Sequence, residues 1–176
     1  MGGRDRLESR GHRQFDGGRK KGGNITGPNP TDKGRPGCKR HLVVDAQGIP
    51  LAVRLTKANL HDSQMFEEML DAIPALQGPG RGRPRRRPGK AHADKGYDYW
   101  KCREACRVRG IRHRIARRGI ESKERLGRHR WVVERTFAWM NRQRRLILRY
   151  DRWASQYHGF LDLGCALICW GYLKKL

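Results

Sequence analysis

The chain has 176 residues, enough for one domain of modest size. Its 40 lysines and arginines against 17 aspartates and glutamates leave a formal charge of +23. This charge argues against a secreted enzyme of small acidic metabolites and favours a polyanionic partner, nucleic acid above all. Five Trp, five Tyr and four Phe within an apolar fraction of 36% supply material for one core and argue against full disorder.

The first 23 residues predict a disordered basic lead-in, because glycine pairs bracket a basic run and apolar residues show no regular period. We therefore expect no strand within residues 1–18. Further along the chain, apolar periodicity predicts a hairpin, a short strand that ends just before Asp94, another short strand and four helices. The hairpin strands are expected at 41–44 and 49–55, the later strand at 111–116, and the helices at 62–73, 97–108, 122–148 and 157–173.

This order of elements predicts one mixed α/β domain over residues 24–176. Residues 77–90 interrupt it with a stretch rich in glycine, proline and arginine, which predicts an exposed basic loop. The apolar stretch 160–173 is too short to cross a bilayer and no export segment opens the chain, so we expect a cytoplasmic protein without a membrane contact.

Two carboxylates stand beside apolar residues in a chain that has few acids. Asp94 follows the short strand, and such strand ends carry the reactive groups of open α/β sheets. Glu134 lies within a helix, one turn after Arg130. Phosphoryl transfer on DNA uses divalent cations held by carboxylate oxygens, for which these two residues are candidates. The structural alternative is that Asp94 caps the next helix and Glu134 pairs with Arg130, and the spacing alone leaves both open.

Six sequence segments together resemble bacterial insertion-sequence transposases of the insertion sequence 5 family, which are DDE enzymes with a ribonuclease-H-like fold. The segments are 26–32, 34–37, 41–45, 59–63, 93–98 and 130–139. The resemblance covers residues 20–176 in the same order. It implies that Asp94 and Glu134 are the second and third metal-binding catalytic acids, that Arg130 assists, and that Mg²⁺ or Mn²⁺ is the cofactor. It also implies DNA ends and target DNA as partners and a homo-oligomer as the active form.

The first acid of the triad is missing from its expected place. The family pattern puts it at the position of Arg13, and no acid stands there. Codons that encode residues 12–18 can spell Ile-Asp-Ser-Ser-Thr-Val when read one base later. Our hypothesis is a truncated or frameshifted copy whose first strand is missing or garbled.

Arginines supply two candidate DNA-binding surfaces. One is the loop, with Arg85, Arg86 and Arg87; its alternative is a loop that merely tolerates charge. The other follows Glu134 along the helix, where Arg142, Arg144, Arg145 and Arg149 are expected to approach the cleaved strand. Trp139 and Trp153 could stack on bases, although aromatic residues at helical spacing more often belong to a core.

Three functions therefore remain open. The first is a metal-dependent DNA transposase that performs cleavage and strand transfer. The second is a catalytically inactive fragment that binds DNA or inhibits the intact enzyme, and the third is an unrelated basic nucleic-acid-binding protein. Two cysteine pairs, Cys102 with Cys106 and Cys165 with Cys169, have helical spacing and predict ordinary helix residues rather than a zinc site.

Overall fold

The computed structural model describes residues 5–11, 23–78, 81–120 and 123–174, with side chains within 23–78, 81–120 and 131–174. The strands are β1 (Asp5–Gly11), β2 (Gly27–Pro28), β3 (Pro36–Val44), β4 (Pro50–Lys57), β5 (Lys90–Ala93) and β6 (Arg112–Ile115). The helices are α1 (Phe66–Asp71), α2 (Trp100–Val108), α3 (Lys123–Asn141), α4 (Arg144–Ile147) and α5 (Ala154–Leu173).

β1 occupies the middle of a mixed sheet. It pairs antiparallel with β3, from Arg6 opposite Val44 to Gly11 opposite Lys39, and parallel with β5. β4 lies antiparallel on the far side of β3, and β6 lies parallel beside β5. The sheet therefore reads β4–β3–β1–β5–β6, with the short β2 pairing the start of β3. This architecture confirms a mixed α/β sheet with flanking helices, the general form of the predicted fold class.

The strand β1 corrects the expectation that residues 1–18 form no strand and that the first strand is missing. Within Asp5–Gly11 only Leu7 is a large apolar residue, so local propensity does not favour a strand. The segment pairs instead with β3 and β5, and such context outweighs intrinsic preference in sheets. The rest of the predicted lead-in, except Gly23, lies outside the described residues.

Two apolar layers cover the two faces of the sheet, and the alternation along β3 separates them. Val43 belongs to the layer formed with α1 and α2, whereas Leu42 and Val44 belong to the layer formed with α3, α4 and α5. Successive residues of a strand point to opposite faces, so one strand serves both layers. The result is a helix–sheet–helix sandwich that buries β3 completely from Leu42 to Val44.

The helix predicted at 122–148 is divided in two, since α3 ends at Asn141 and α4 begins at Arg144. Arg40 of β3, which is 2% exposed, lies against this break. Its guanidinium donates to the Asn141 side chain at 2.9 Å and to the Leu146 carbonyl at 3.3 Å. A buried cation needs such acceptors, and a continuous helix would keep the Leu146 carbonyl for its own hydrogen bonds. The helix predicted at 62–73 also begins differently, as a 3-10 turn at Asp62–Gln64 before α1.

Helix α5 approaches the rest of the domain very closely at Gly164. A Cβ atom there would lie 2.7 Å from Cδ1 of Leu146, which is itself fully buried. We expect Gly164→Ala to lower the free energy of unfolding by about 1–3 kcal/mol, because Leu146 has no room to move aside. Chemical denaturation followed by circular dichroism measures the change.

Gly171 on the same helix is the matched control. Nothing lies within 4 Å of its Cβ position, so Gly171→Ala is expected to keep or slightly raise stability. Equal losses in both variants would contradict the close approach at Gly164.

Candidate active site and basic surface

Asp94 directly follows β5, at the end of the sheet where β1, β4, β5 and β6 all have their carboxyl ends. The side chain is half-buried, and its Oδ1 accepts a hydrogen bond of 2.8 Å from the Gly96 amide. This bond caps the 3-10 turn Lys95–Tyr97. Asp94 therefore caps this turn and not helix α2, which the structural alternative had expected it to cap. The bond fixes the position of the carboxylate at the sheet edge.

A second carboxylate, Asp62, lies beside Asp94 across Gly96. The Cβ position of Gly96 is 3.0 Å from Asp94 Oδ1 and 3.6 Å from Asp62 Oδ2. Lys39 Nζ lies 2.7 Å from Asp62 Oδ1 and balances part of the negative charge. Asp62 opens the helix predicted at 62–73, and the preceding His61 caps the turn there, since its side chain accepts from the Ser63 amide. The signal for Asp62 was available, because residues 59–63 form one of the family-like segments.

Ring and guanidinium contacts hold the loop around Asp94 in place. Tyr99 Oη lies 3.2 Å from His61 Nε2, and Arg118 donates to the same hydroxyl at 3.1 Å. Asp98 lies 2.6 Å from an Arg103 nitrogen and accepts from the Arg118 amide, which together lower the pKa of its carboxyl. Asp98 therefore acts as an anchor for this loop.

Glu134 is half-buried on α3, the helix that packs against both β1 and β3. Thr136 Oγ1 donates to the Gly48 carbonyl at 2.7 Å, and Arg135 donates to the Gln47 carbonyl, so α3 is bound to the β3–β4 turn. Farther along, Asn141 binds Arg40 of β3. Helix α3 therefore runs along β3, from the β3–β4 turn to Arg40. Glu134 lies on this helix, which also contacts β1. The side chain of Arg130, predicted to assist Glu134, lies outside the described residues.

β1 lies between the elements that carry the two predicted acids. It pairs with β5, which precedes Asp94, and it contacts α3, which carries Glu134. Arg6 is opposite His92, so continuing this register brings Glu8 level with Asp94. The position predicted for the first acid, Arg13, lies outside the described residues.

The arginine-rich loop is exposed but partly ordered. Leu76 and Arg85 exchange backbone hydrogen bonds of 2.8 and 2.9 Å, a bridge that the glycine and proline content had not predicted. The side chains of Arg85, Arg86 and Arg87 are exposed, in agreement with the sequence analysis. The backbone bridge between Leu76 and Arg85 therefore fixes the loop that carries these exposed arginines.

The arginines after Glu134 divide into two groups. Arg142, Arg144 and Arg145 are exposed. The expectation that Arg149 approaches DNA is wrong, because this residue is 5% exposed and donates to the Asn24 carbonyl at 2.8 Å. Its guanidinium joins residues far apart in the chain and is part of the core.

The two tryptophans considered for base stacking differ in environment. Trp139 is half-buried between Arg135 and Tyr172, with ring centroids 6.0 Å apart for the tyrosine pair. Trp153 is 56% exposed at the start of α5. Only Trp153 therefore presents much of its surface to solvent.

The predicted helical placement of the two cysteine pairs is confirmed, because Cys102 and Cys106 lie on α2 and Cys165 and Cys169 on α5. Burial raises the pKa of Cys106 to about 11 and that of Cys165 to about 12. Among the residues described, no group of three or more His, Cys, Asp and Glu side chains is arranged to hold a metal ion. None of the described helices is both long and apolar enough to span a bilayer.

Comparisons of the sequence with known proteins find transposases. A family model, the transposase DDE domain, matches residues 6–169. A transposase for insertion sequence element IS402 of Burkholderia cepacia is 48% identical over 173 residues, which is 98% of this chain and 82% of that protein. A transposase for insertion sequence element IS6501 of Brucella ovis is 27% identical over 136 residues, covering 74% of this chain and 95% of that protein.

One solved structure is also similar, a chain of the simian T-cell lymphotropic virus intasome in complex with PP2A regulatory subunit B56 gamma. The identity is 18% and the TM-score 0.47, over 78% of this chain and 38% of that one.

The family match and the 48% identical relative together identify an insertion-sequence transposase. The chain belongs to the transposase DDE domain family, since the family model covers nearly its whole length. The predicted resemblance is thus confirmed.

The buried side chain of His41 on β3 should make the stability of the domain depend on pH. Burial lowers its pKa from 6.5 to about 4; the Asp62 carboxylate opposes this shift and Lys39 adds to it. Between these pH values the unfolded chain binds more protons than the folded one, so stability is present above pH 6.5 and is lost as the pH falls towards 4. The shift corresponds to about 3 kcal/mol at most.

The measurement is the free energy of unfolding of His41→Gln and of the unchanged chain at pH 7 and pH 5. We expect the variant to lose less stability than the unchanged chain over this interval. Parallel pH profiles would show that another group is responsible.

Proposed function

We propose that this transposase domain cleaves and joins DNA phosphodiesters with Mg²⁺ or Mn²⁺ held by Asp94 and Glu134, with Arg130 assisting. The observation that carries the proposal is the position of β1, which contacts both the strand before Asp94 and the helix bearing Glu134. A strand end and an adjacent helix supply oxygen ligands from two directions, as hard divalent cations require.

The chemistry of the carboxylates present supports the proposal of such an ion. Asp94 offers a half-buried carboxylate fixed by the Gly96 amide, and Asp62 adds negative charge next to it. The bound cations would supply activation of the attacking hydroxyl and stabilisation of the leaving oxygen. The chain itself orients the carboxylates, through the Asp94 cap and through the hydrogen bonds that fix α3 on the β3–β4 turn.

DNA is the proposed substrate in both reaction steps, as the ends of the insertion element and as the target. The net charge of +23 favours a polyanion, and exposed arginines are available in the 77–90 loop and around α4. Because the proposed substrate is bacterial DNA, the proposed site of action is the cytoplasm. The proposed active form is a homo-oligomer.

A second candidate function is a copy that binds DNA without cutting it, and that inhibits the intact enzyme by mixed assembly. The observation that favours it is Arg13, which stands where the resemblance expects the first acid. DNA carrying the element ends, incubated with the chain and Mn²⁺, separates the two functions. Nicking supports the enzyme, and bound but uncut DNA supports the inactive copy.

Asp94→Asn tests the metal role separately from the capping role. The carboxamide introduced by this change retains an oxygen that can accept from the Gly96 amide, so stability should change little, whereas the lost charge should weaken Mn²⁺ binding at least tenfold. Calorimetric titration of Mn²⁺ measures the affinity, and Glu134→Gln should behave in the same way.

Glu104→Gln, an acid on α2 paired with Arg107, is the control and should bind Mn²⁺ normally. Asp94→Ala should lower stability by about 0.5–2 kcal/mol, because it removes the cap. Unchanged Mn²⁺ affinity in Asp94→Asn, together with lost stability in Asp94→Ala, would leave Asp94 as a structural cap only.

The triple change Arg85→Ala, Arg86→Ala and Arg87→Ala tests the loop as a DNA contact. Each lost phosphate contact lowers the slope of log affinity against log salt by about 0.9, so we expect a decrease approaching about 3. Fluorescence anisotropy with labelled duplex DNA over a salt series measures the slope.

The matched control is Arg107→Ala, which removes an exposed arginine that is engaged with Glu104. This variant should change the slope by less than the value of about 0.9 expected for one phosphate contact. A slope unaltered by the triple change would mean that the loop merely tolerates its charge.

A further inference from the structure

Helix α5 has apolar residues on two sides, and the fold uses only one of them. Ala154, Tyr157, Leu161 and Gly164 form the inner side and are buried. The opposite side, which we name the outer seam, remains in contact with solvent. It consists of Gly159, Leu163, Ala166, Leu167, Trp170 and Leu173.

The large residues of the outer seam are more than half exposed. The exposed fractions are 54% for Leu163, 52% for Leu167, 55% for Trp170 and 61% for Leu173. A surface helix of a soluble domain ordinarily shows one apolar stripe and a polar opposite face. A contiguous exposed apolar stripe of this kind marks a surface that is covered in the working state.

The spacing of the outer seam is that of a helix-pairing surface. Gly159, Leu163, Ala166, Trp170 and Leu173 follow one another at intervals of four, three, four and three residues. This is the alternation of a and d positions in a coiled coil, in which side chains of one helix enter the gaps of another. The occupant is therefore a helix.

The charge of α5 indicates which helix packs against the outer seam. The chain has 40 lysines and arginines, yet none lies within Ala154–Leu173. Among charged groups the helix has only Asp162, which is paired with His158 at 3.0 Å. Lys174, the residue after α5, lies at the end of this face, with its Nζ 5.6 Å from the centroid of the Trp170 ring. The helix itself offers a DNA backbone no lysine or arginine, whereas two copies of this strongly cationic chain can approach each other along it with little repulsion.

We propose that the outer seam is a self-association surface, on which α5 packs antiparallel against α5 of a second copy. In the register that the residue sizes favour, Trp170 lies over Ala166 of the second copy, and Leu163 lies opposite Leu173. Large residues then face small or equal ones across a two-fold axis, and the same surface serves both copies, as a symmetric dimer requires. The assembly unites two catalytic domains in one particle.

The experiment measures the mass of the chain by light scattering during size exclusion, at about 0.3 M salt to screen the net charge. We expect twice the mass of one chain for the unchanged protein. Trp170→Lys and Leu163→Lys should give the mass of one chain, with an unchanged circular dichroism spectrum because both sites are exposed. Trp100→Lys, at a 78% exposed tryptophan of α2, is the control and should remain dimeric.

Ala166→Trp distinguishes the proposed helix register from non-specific hydrophobic association. The added ring fills the space that Trp170 of the second copy needs, so we expect a single-chain mass, whereas a non-specific apolar patch would associate more strongly. A monomeric unchanged chain would overturn the proposal, as would a dimer that persists in both lysine variants. Weakened DNA binding by Trp170→Lys at unchanged mass would also overturn it and would assign the seam to DNA.

Discussion

The pairing of β1 with two other strands is the constraint on which the architecture depends. β1 lies antiparallel to β3 and parallel to β5, so it connects the β3–β4 hairpin to the strand that ends beside Asp94. The same strand contacts α3, the helix of Glu134. Without β1 the hairpin and the β5–β6 pair would have no shared neighbour in the sheet, and the two candidate acids would have no common scaffold.

Two buried arginines hold together the layer formed by α3, α4 and α5. Arg40 ends α3 by binding Asn141 and the Leu146 carbonyl, and Arg149 joins α4 to the segment around Asn24. Both guanidiniums bind carbonyl and amide oxygens, which suits a chain with few carboxylates. The arginine content therefore divides between a structural group inside the domain and an exposed group available to DNA.

Much of this fold could be predicted from local pattern. The hairpin, α2, β6 and α5 have clear apolar periods, and the structure has them within a few residues of their predicted limits. β1 was missed because its pairing partners, not its own residues, make it a strand. The end of α3 was missed because it depends on Arg40, about a hundred positions earlier in the chain.

The candidate site was predictable in part for the same reason. Asp94 is recognisable from its place after a strand, and its cap on Gly96 is a local feature of the turn. The proximity of Asp62 arises from the meeting of two loops and has no local signature, although its segment resembles the family. Similarly, the apolar composition of α5 predicts a buried helix, and only the packed structure shows that one side remains exposed.

The central claim is that Asp94 and Glu134 share divalent metal. Its most direct test is a crystal structure of the chain soaked in Mn²⁺, with the ions located by anomalous scattering. We expect both carboxylates to coordinate one ion, or two ions about 4 Å apart. Carboxylates on opposite faces of the sheet, with manganese at neither or at only one of them, would contradict it.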